Sequence, residues 1–173
     1  MILALDISTT TIGVALINNG KVSSINYISL KKTKDLIDKI QETSDWFDND
    51  PTFQKVKYKI KEVRIEQFLQ SFRKGMSSAA TITKLAGFNT AVQYLMYVKL
   101  SLRPNMIASN VARKSIGIKL DKQKDTKEQI CEFVHQHYYP LPRKILKGGP
   151  RKGQETWADH ANDIADAIVI GLS

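Results

Sequence analysis

A chain of 173 residues, 42% hydrophobic and 25% charged, is long enough to fold around a core of its own without covalent staples. Its single cysteine, Cys131, excludes an internal disulfide and fits a reducing compartment, and no apolar run approaches the roughly 18 residues of a membrane-spanning helix. The start, MILALDISTT, lacks the basic segment of a signal peptide, so the expectation is one cytoplasmic domain over residues 1–173 that does not engage membranes.

In chain order, ILALD (2–6) is an apolar run ending at an acid, as in a central strand covered on both faces. TIGVALIN (11–18) and KVSSINYISL (21–30) follow, joined by an Asn-Gly hairpin signal. Residues 33–47 place Leu36, Ile37, Ile40 and Phe47 near helical spacing, and DNDP breaks the pattern at Pro51. YKIKEVRIEQF (58–68) alternates as a strand, with Glu66 near its end. LQSFRKGMSS reads as a loop, a long helical pattern covers 79–100, and NMIAS (105–109) is a short strand candidate. NVARKSIG and TKEQICEFVHQHYY predict two more helices. PLPRKILKGGPRKGQ (140–154) carries five basic residues among prolines and glycines and predicts an exposed, flexible basic loop. A final helix closes the chain. Three strands followed by strands alternating with helices predict a mixed sheet faced by helices, with Asp6 and Glu66 at the carboxyl ends of strands, where such sheets place functional groups.

Charge is unevenly distributed. The net charge of +9 combines a balance of −2 in residues 1–50, +13 in 51–150 and −2 in 151–173. A basic middle between slightly acidic ends suggests a polyanion-binding surface beside a site of opposite sign.

The last helix, DHANDIADAIVIGLS (159–173), is apolar around most of its circumference yet carries Asp159, Asp163 and Asp166 on one stripe. Asp159 and Asp163 suit the first turn as capping groups; Asp166 lies too far in for that. A carboxylate beside a core needs neutralising. With Asp6 and Glu66, the two helix acids form an oxygen-only donor set suited to Mg²⁺ or Mn²⁺ rather than zinc, for which only the histidines of HQH (135, 137) are available. Two such ions could clamp the attacking and leaving oxygens of a phosphodiester while relieving repulsion among four acids.

The blocks LALDISTTTIGVAL, RIEQFL, NVARKSIGIK…TKEQI and HANDIADAIVIGL resemble the RuvC-type Holliday-junction resolvases, most closely the RuvC-like endonucleases of lactococcal bacteriophages. The resemblance covers most of the chain. It implies an α/β, ribonuclease-H-like fold of the retroviral integrase superfamily, a mixed five-stranded sheet flanked by helices. It also implies a homodimer, with residues 79–100 as the dimer-forming helix, and Mg²⁺-dependent paired nicking of branched DNA, chiefly four-way junctions, with two ions per site. The metal-binding acids would be Asp6, Glu66, Asp163 and Asp166, and Lys127 matches a lysine that assists the scissile phosphate. His160 would flank the site as a supporting or capping group.

The chain departs from that family in three places. Where an aromatic wedge is expected three residues after the strand-end acid, Leu69 stands between Phe68 and Phe72. A basic position in NVARK is displaced, so Arg113 and Lys114 substitute only approximately. The basic loop is longer than in the bacterial enzymes. DNA contacts are accordingly expected from Phe68, Arg73, Lys74, Arg113, Lys114, Arg151 and Lys152. Three other readings stay open. LALDISTTTIGVAL also resembles the first phosphate loop of actin-like ATPases and sugar kinases; the fold could serve as a non-catalytic DNA-binding module; and a ribonuclease-H-like nuclease acting on RNA or RNA–DNA hybrid would use the same metal chemistry.

Overall fold

The computed structural model describes residues 1–67 and 79–173. Strands β1 (Ile2–Ile7), β2 (Thr11–Asn18), β3 (Lys21–Ser29), β4 (Glu62–Glu66) and β5 (Asn105–Ile107) form one sheet in the order β3-β2-β1-β4-β5. β1–β2 and β2–β3 pair antiparallel, while β1–β4 and β4–β5 pair parallel. The sheet is therefore mixed, as expected. The β2–β3 hairpin turns on Asn19 and Gly20, both at positive φ (51° and 72°), the conformation an Asn-Gly turn provides at low steric cost.

Alternation along the strands sorts the core into two halves. Leu3, Leu5, Ile7, Ile12, Val14, Leu16, Val63 and Ile65 face one side and pack with Phe47, Phe53, Phe88, Val92 and Met96. That side is covered by α1 (Leu36–Asn49), α2 (Pro51–Val56) and α3 (Ala79–Leu100). Ala4, Ala15 and Ile17 face the other, against α4 (Ser109–Ser115), α5 (Thr126–His137) and α6 (Ala161–Leu172). Asp6 and Glu66 follow the parity of Ala4 and Arg64, so the strand acids point toward α6.

One sequence expectation is extended and three are corrected. The break expected at DNDP is where α1 ends, at Asn49, but Pro51 then opens an unexpected second helix, α2, where Asp50 caps by accepting from the Phe53 N–H at 2.7 Å. The strand expected from residue 58 begins only at Glu62, because Lys57–Lys59 form a 3₁₀ turn. The loop 140–154 contains half of a two-stranded ribbon, β6 (Arg143–Ile145) paired with β7 (Glu155–Trp157). Its turn is closed by Leu146 N–H to Gln154 O at 3.0 Å and Gly153 N–H to Leu146 O at 2.9 Å. Finally, Asp159 is not a cap: α6 starts at Ala161 behind His160, which makes no side-chain capping bond either. Among the described residues no helix is long and apolar enough to cross a membrane.

Candidate active site

Parallel pairing of β1 with β4 sets Leu5 opposite Ile65, so the next residue on each strand, Asp6 and Glu66, emerge side by side. Asp166, in the second turn of α6, completes the group: one carboxylate oxygen from each of Asp6, Glu66 and Asp166 lies within 4.8 Å of the other two. Asp163 stands outside that trio, one turn nearer the start of α6.

Glycine makes this approach possible. Gly13 pairs with Asp6 across β1–β2, and a Cβ on it would lie 2.0 Å from the Asp163 carbonyl oxygen and 2.8 Å from the Ile164 nitrogen. Only a residue without a side chain lets the first turn of α6 sit on the strand. At the other end of α6, a Cβ on Gly171 would meet Ile17 Cγ1 at 2.6 Å and Ala4 Cβ at 2.9 Å. Arg64 on β4 binds the same end, donating to the Gly171 carbonyl at 3.2 Å while paired with Glu62 at 2.8 Å. The helix is thus pinned at both termini, and its acids are fixed relative to the strand acids.

The electrostatics are those of acids confined together. Burial raises the Asp6 pKa well above the usual carboxylate range, and contact with Glu66 and the charges of Glu66, Asp166 and Asp163 push it further. Asp166 is pushed up to about 6, by burial first and then by Glu66, with Arg113 and Lys127 opposing. Burial also raises Asp163, against the pull of Lys127. Helix α4 supplies two polar partners one turn apart: Ser109 donates its hydroxyl to Glu66, and Arg113 Nη2 pairs with Asp166 Oδ1 at 3.2 Å. Three convergent carboxylates, with Asp6 and Asp166 both raised, form a hard-oxygen donor set that fits a divalent cation of the Mg²⁺ type.

The other expected residues fall as follows. Lys127 is exposed in the first turn of α5, close enough for its charge to act on Asp163 and Asp166. Arg113 is part of the acid cluster itself, while Lys114 is exposed beside it. Arg151 and Lys152 are exposed in the ribbon turn. Phe68, Arg73 and Lys74 lie outside the described residues. His160 stacks on Tyr27 with centroids 3.6 Å apart. Asp159 pairs with Lys144 of β6 and, at 3.9 Å, with Lys31.

Sequence reasoning missed Gly13, Ser109 and Lys39. A glycine inside an apolar strand pattern was a usable signal for close backbone approach. Ser109 carried none. Lys39, buried on α1, donates to the Thr9 carbonyl and to the Leu30 carbonyl at 3.2 Å, tying down the turn that follows Asp6 and Ile7.

Neither a known protein family nor a curated protein matches the sequence significantly. Solved structures do match. Thermus thermophilus RuvC in complex with a Holliday-junction substrate aligns over 99% of this chain and 89% of its own, with a TM-score of 0.63 at 13% identity. Another Thermus thermophilus RuvC structure gives 0.56 at 12% identity, covering 99% and 90%. The yeast mitochondrial Holliday-junction resolvase gives 0.51 at 14%, covering 99% and 75%. The chain has the RuvC-type, ribonuclease-H-like fold.

Proposed function

We propose that this protein is a metal-dependent endonuclease that cuts branched DNA, chiefly four-way junctions, by paired nicks. The observation that carries the reading is the Asp6–Glu66–Asp166 cluster at adjacent strand ends beneath α6, in a fold shared with junction resolvases. Within that fold, the nearest kinship we propose is with the lactococcal phage enzymes, on the sequence blocks alone.

Asp6, Glu66 and Asp166 would hold Mg²⁺, or Mn²⁺ in its place, and Asp163 at the edge of the cluster would serve a second ion. Bound there, divalent ions supply Lewis-acid charge to a phosphodiester and generate hydroxide near neutral pH. The chain's own contribution is positional and electrostatic. β1 and β4 aim two carboxylates in parallel, and Gly13 lets α6 bring the others within reach. Lys127 supplies positive charge beside Asp163, suited to the charge that develops on a scissile phosphate. Lys114, Arg151 and Lys152 are exposed cations suited to phosphate contacts, and Phe68, Arg73 and Lys74 are proposed for the same interface from sequence alone. Paired nicks need two sites. A homodimer supplies them, and α3 presents exposed Tyr94, Tyr97 and Val98 on its outer face.

The test is cleavage of a synthetic four-way junction by wild type and Asp6→Asn, with Mg²⁺ and with chelator. Symmetry-related nicks that require both metal and Asp6 support the reading. Junction binding without any cutting of junction, fork or duplex would favour a non-catalytic module, and preferential cutting of RNA–DNA hybrid would move the substrate class.

A further inference from the structure

Arg113 is bound in an unusual way. Its Nη2 reaches Asp166 Oδ1 at 3.2 Å, and the two side chains are only 22% and 18% exposed. Yet its Nε is buried with no hydrogen-bond partner. A charged donor left unsatisfied in the interior is costly, so the guanidinium occupies a position that satisfies it only in part. What holds it there is the acid cluster: Asp166 sits among Asp6, Glu66 and Asp163, and Arg113 is the cation in direct contact with it. A divalent ion taken up by Asp6, Glu66 and Asp166 would bring two further positive charges to the carboxylate that Arg113 already neutralises. The two cations therefore compete.

We propose that Arg113 is a displaceable counter-ion that neutralises Asp166 in the free protein, holds divalent-ion affinity down, and passes to a DNA backbone phosphate on substrate binding, so that metal and DNA load the site cooperatively. The second half rests on the nuclease reading; the first does not. A phosphate offers the guanidinium paired, charge-assisted acceptors, including one for the Nε that now has none. Lys114, adjacent and exposed, and Lys127 across the cluster keep the surroundings positive when Arg113 leaves. The neighbouring Ser109–Glu66 bond needs no such exchange, because a hydroxyl carries no charge to oppose the ion. By linkage, the factor by which DNA tightens metal binding is the factor by which metal tightens DNA binding.

The experiment measures Ca²⁺ affinity calorimetrically in wild type, Arg113→Gln and Arg113→Lys, without DNA and with saturating four-way junction. Ca²⁺ is a hard-oxygen probe of the same donor set. Without DNA, Arg113→Gln should bind Ca²⁺ about tenfold more tightly than wild type, and Arg113→Lys should stay within a few-fold of it. With junction, wild type should tighten by a larger factor than Arg113→Gln, again by about tenfold, since DNA phosphates attract the ion in both but only wild type has a counter-ion to release. Weaker Ca²⁺ binding by Arg113→Gln, in a variant whose melting temperature shows it folded, would overturn the proposal and make Arg113 a residue that merely orients Asp166. Equal DNA-induced tightening in both proteins would overturn the coupling. If wild type binds no junction, the nuclease reading fails, while the DNA-free comparison still decides whether Arg113 opposes the ion.

Discussion

The two faces of the sheet are built on different principles. The face under α1, α2 and α3 is filled by large side chains, with Phe47, Phe88, Leu3, Leu5 and Met96 fully buried. The face under α6 also buries large side chains, Ile17, Ile130, Ile164 and Ile168 among them, but intersperses them with Ala4, Ala15, Ala161, Ala165, Ala167, Gly13 and Gly171. Bulky side chains hold elements apart and contribute burial energy; small ones give up burial energy and let backbones touch. Both faces therefore contribute burial energy, but the close backbone approach that fixes position belongs to the α6 face, and the carboxylates sit there. The comparison can be broken by mutation, because each face should respond in its own currency.

The largest effect belongs to the acids. Asp6→Asn should lower junction cleavage by on the order of 10³-fold or more, since several kcal/mol of charge stabilisation is at stake and each 1.36 kcal/mol is a decade. Binding should persist, because the cationic surface is untouched; simultaneous loss of binding would make Asp6 a structural residue. Gly13→Ala comes next. A Cβ placed 2.0 Å from the Asp163 carbonyl oxygen must displace α6. A shift of about 1 Å at a catalytic constellation costs about 100-fold in rate, while overpacking costs about 1–3 kcal/mol in stability. Phe47→Ala should show the reverse: about 3–5 kcal/mol of stability lost, with turnover per folded molecule unchanged. Equal loss of turnover in both variants would mean that the faces are not separable.

Much of this arrangement is legible in the sequence, and the parts that are not share a cause. β1 and β2 are readable from their apolar runs, and β3 from the Asn-Gly turn that joins it to β2, a turn with one natural conformation. Asp6, Glu66 and Asp166 were readable because strand ends and a buried helix leave an acid few structural excuses. The ribbon was missed because β6 and β7 are three residues each, too short to show a period. Asp159 was misread because its partners, Lys144 and Lys31, lie 15 and 128 residues away, and local rules favour a cap. Arg64 stands two residues from both Glu62 and Glu66 on one strand face, and spacing alone does not tell that it pairs with Glu62. Ser109 and Lys39 act through tertiary contacts that leave no local trace.

Acid–base linkage should expose the same asymmetry. Asp166 titrates at about 6 in the folded protein, against about 3.9 in an unfolded chain. Folded protein thus binds more protons than unfolded protein between those values, so chelated protein should lose stability as pH rises from about 4 through 6. For Asp166 alone the loss is at most about 3 kcal/mol, and the raised Asp6 and Asp163 act with the same sign. Glu62, held low by Arg64, acts oppositely, but chiefly below pH 4.5, so it touches only the start of that window. Mg²⁺ should remove the penalty, so the gain in melting temperature on adding it should be larger at pH 8 than at pH 5. A chelated protein whose stability is flat across pH 4 to 6 would show that Arg113 and its neighbours already cancel the strain.

The smallest effects lie in the ribbon, which repeats the contrast between anchoring and acting within one element. At its root, Arg143 pairs with Glu155 at 3.1 Å and lies over Trp157 at 4.2 Å, and Lys144 pairs with Asp159. In the turn, among the described residues, Arg151 and Lys152 have no ion-pair partner. If the turn cations touch phosphate, replacing both with Gln should reduce the slope of log affinity against log salt by about 2, from about 0.9 per contact. Replacing Arg143 with Gln should leave the slope nearly unchanged and cost about 1–2 kcal/mol of stability, the worth of an exposed ion pair together with a cation–π contact. An unchanged slope in the turn variant would remove the ribbon from the DNA interface. An equal fall in both would mean that the root pairs open on binding, and that the ribbon is a hinge rather than a fixed arm.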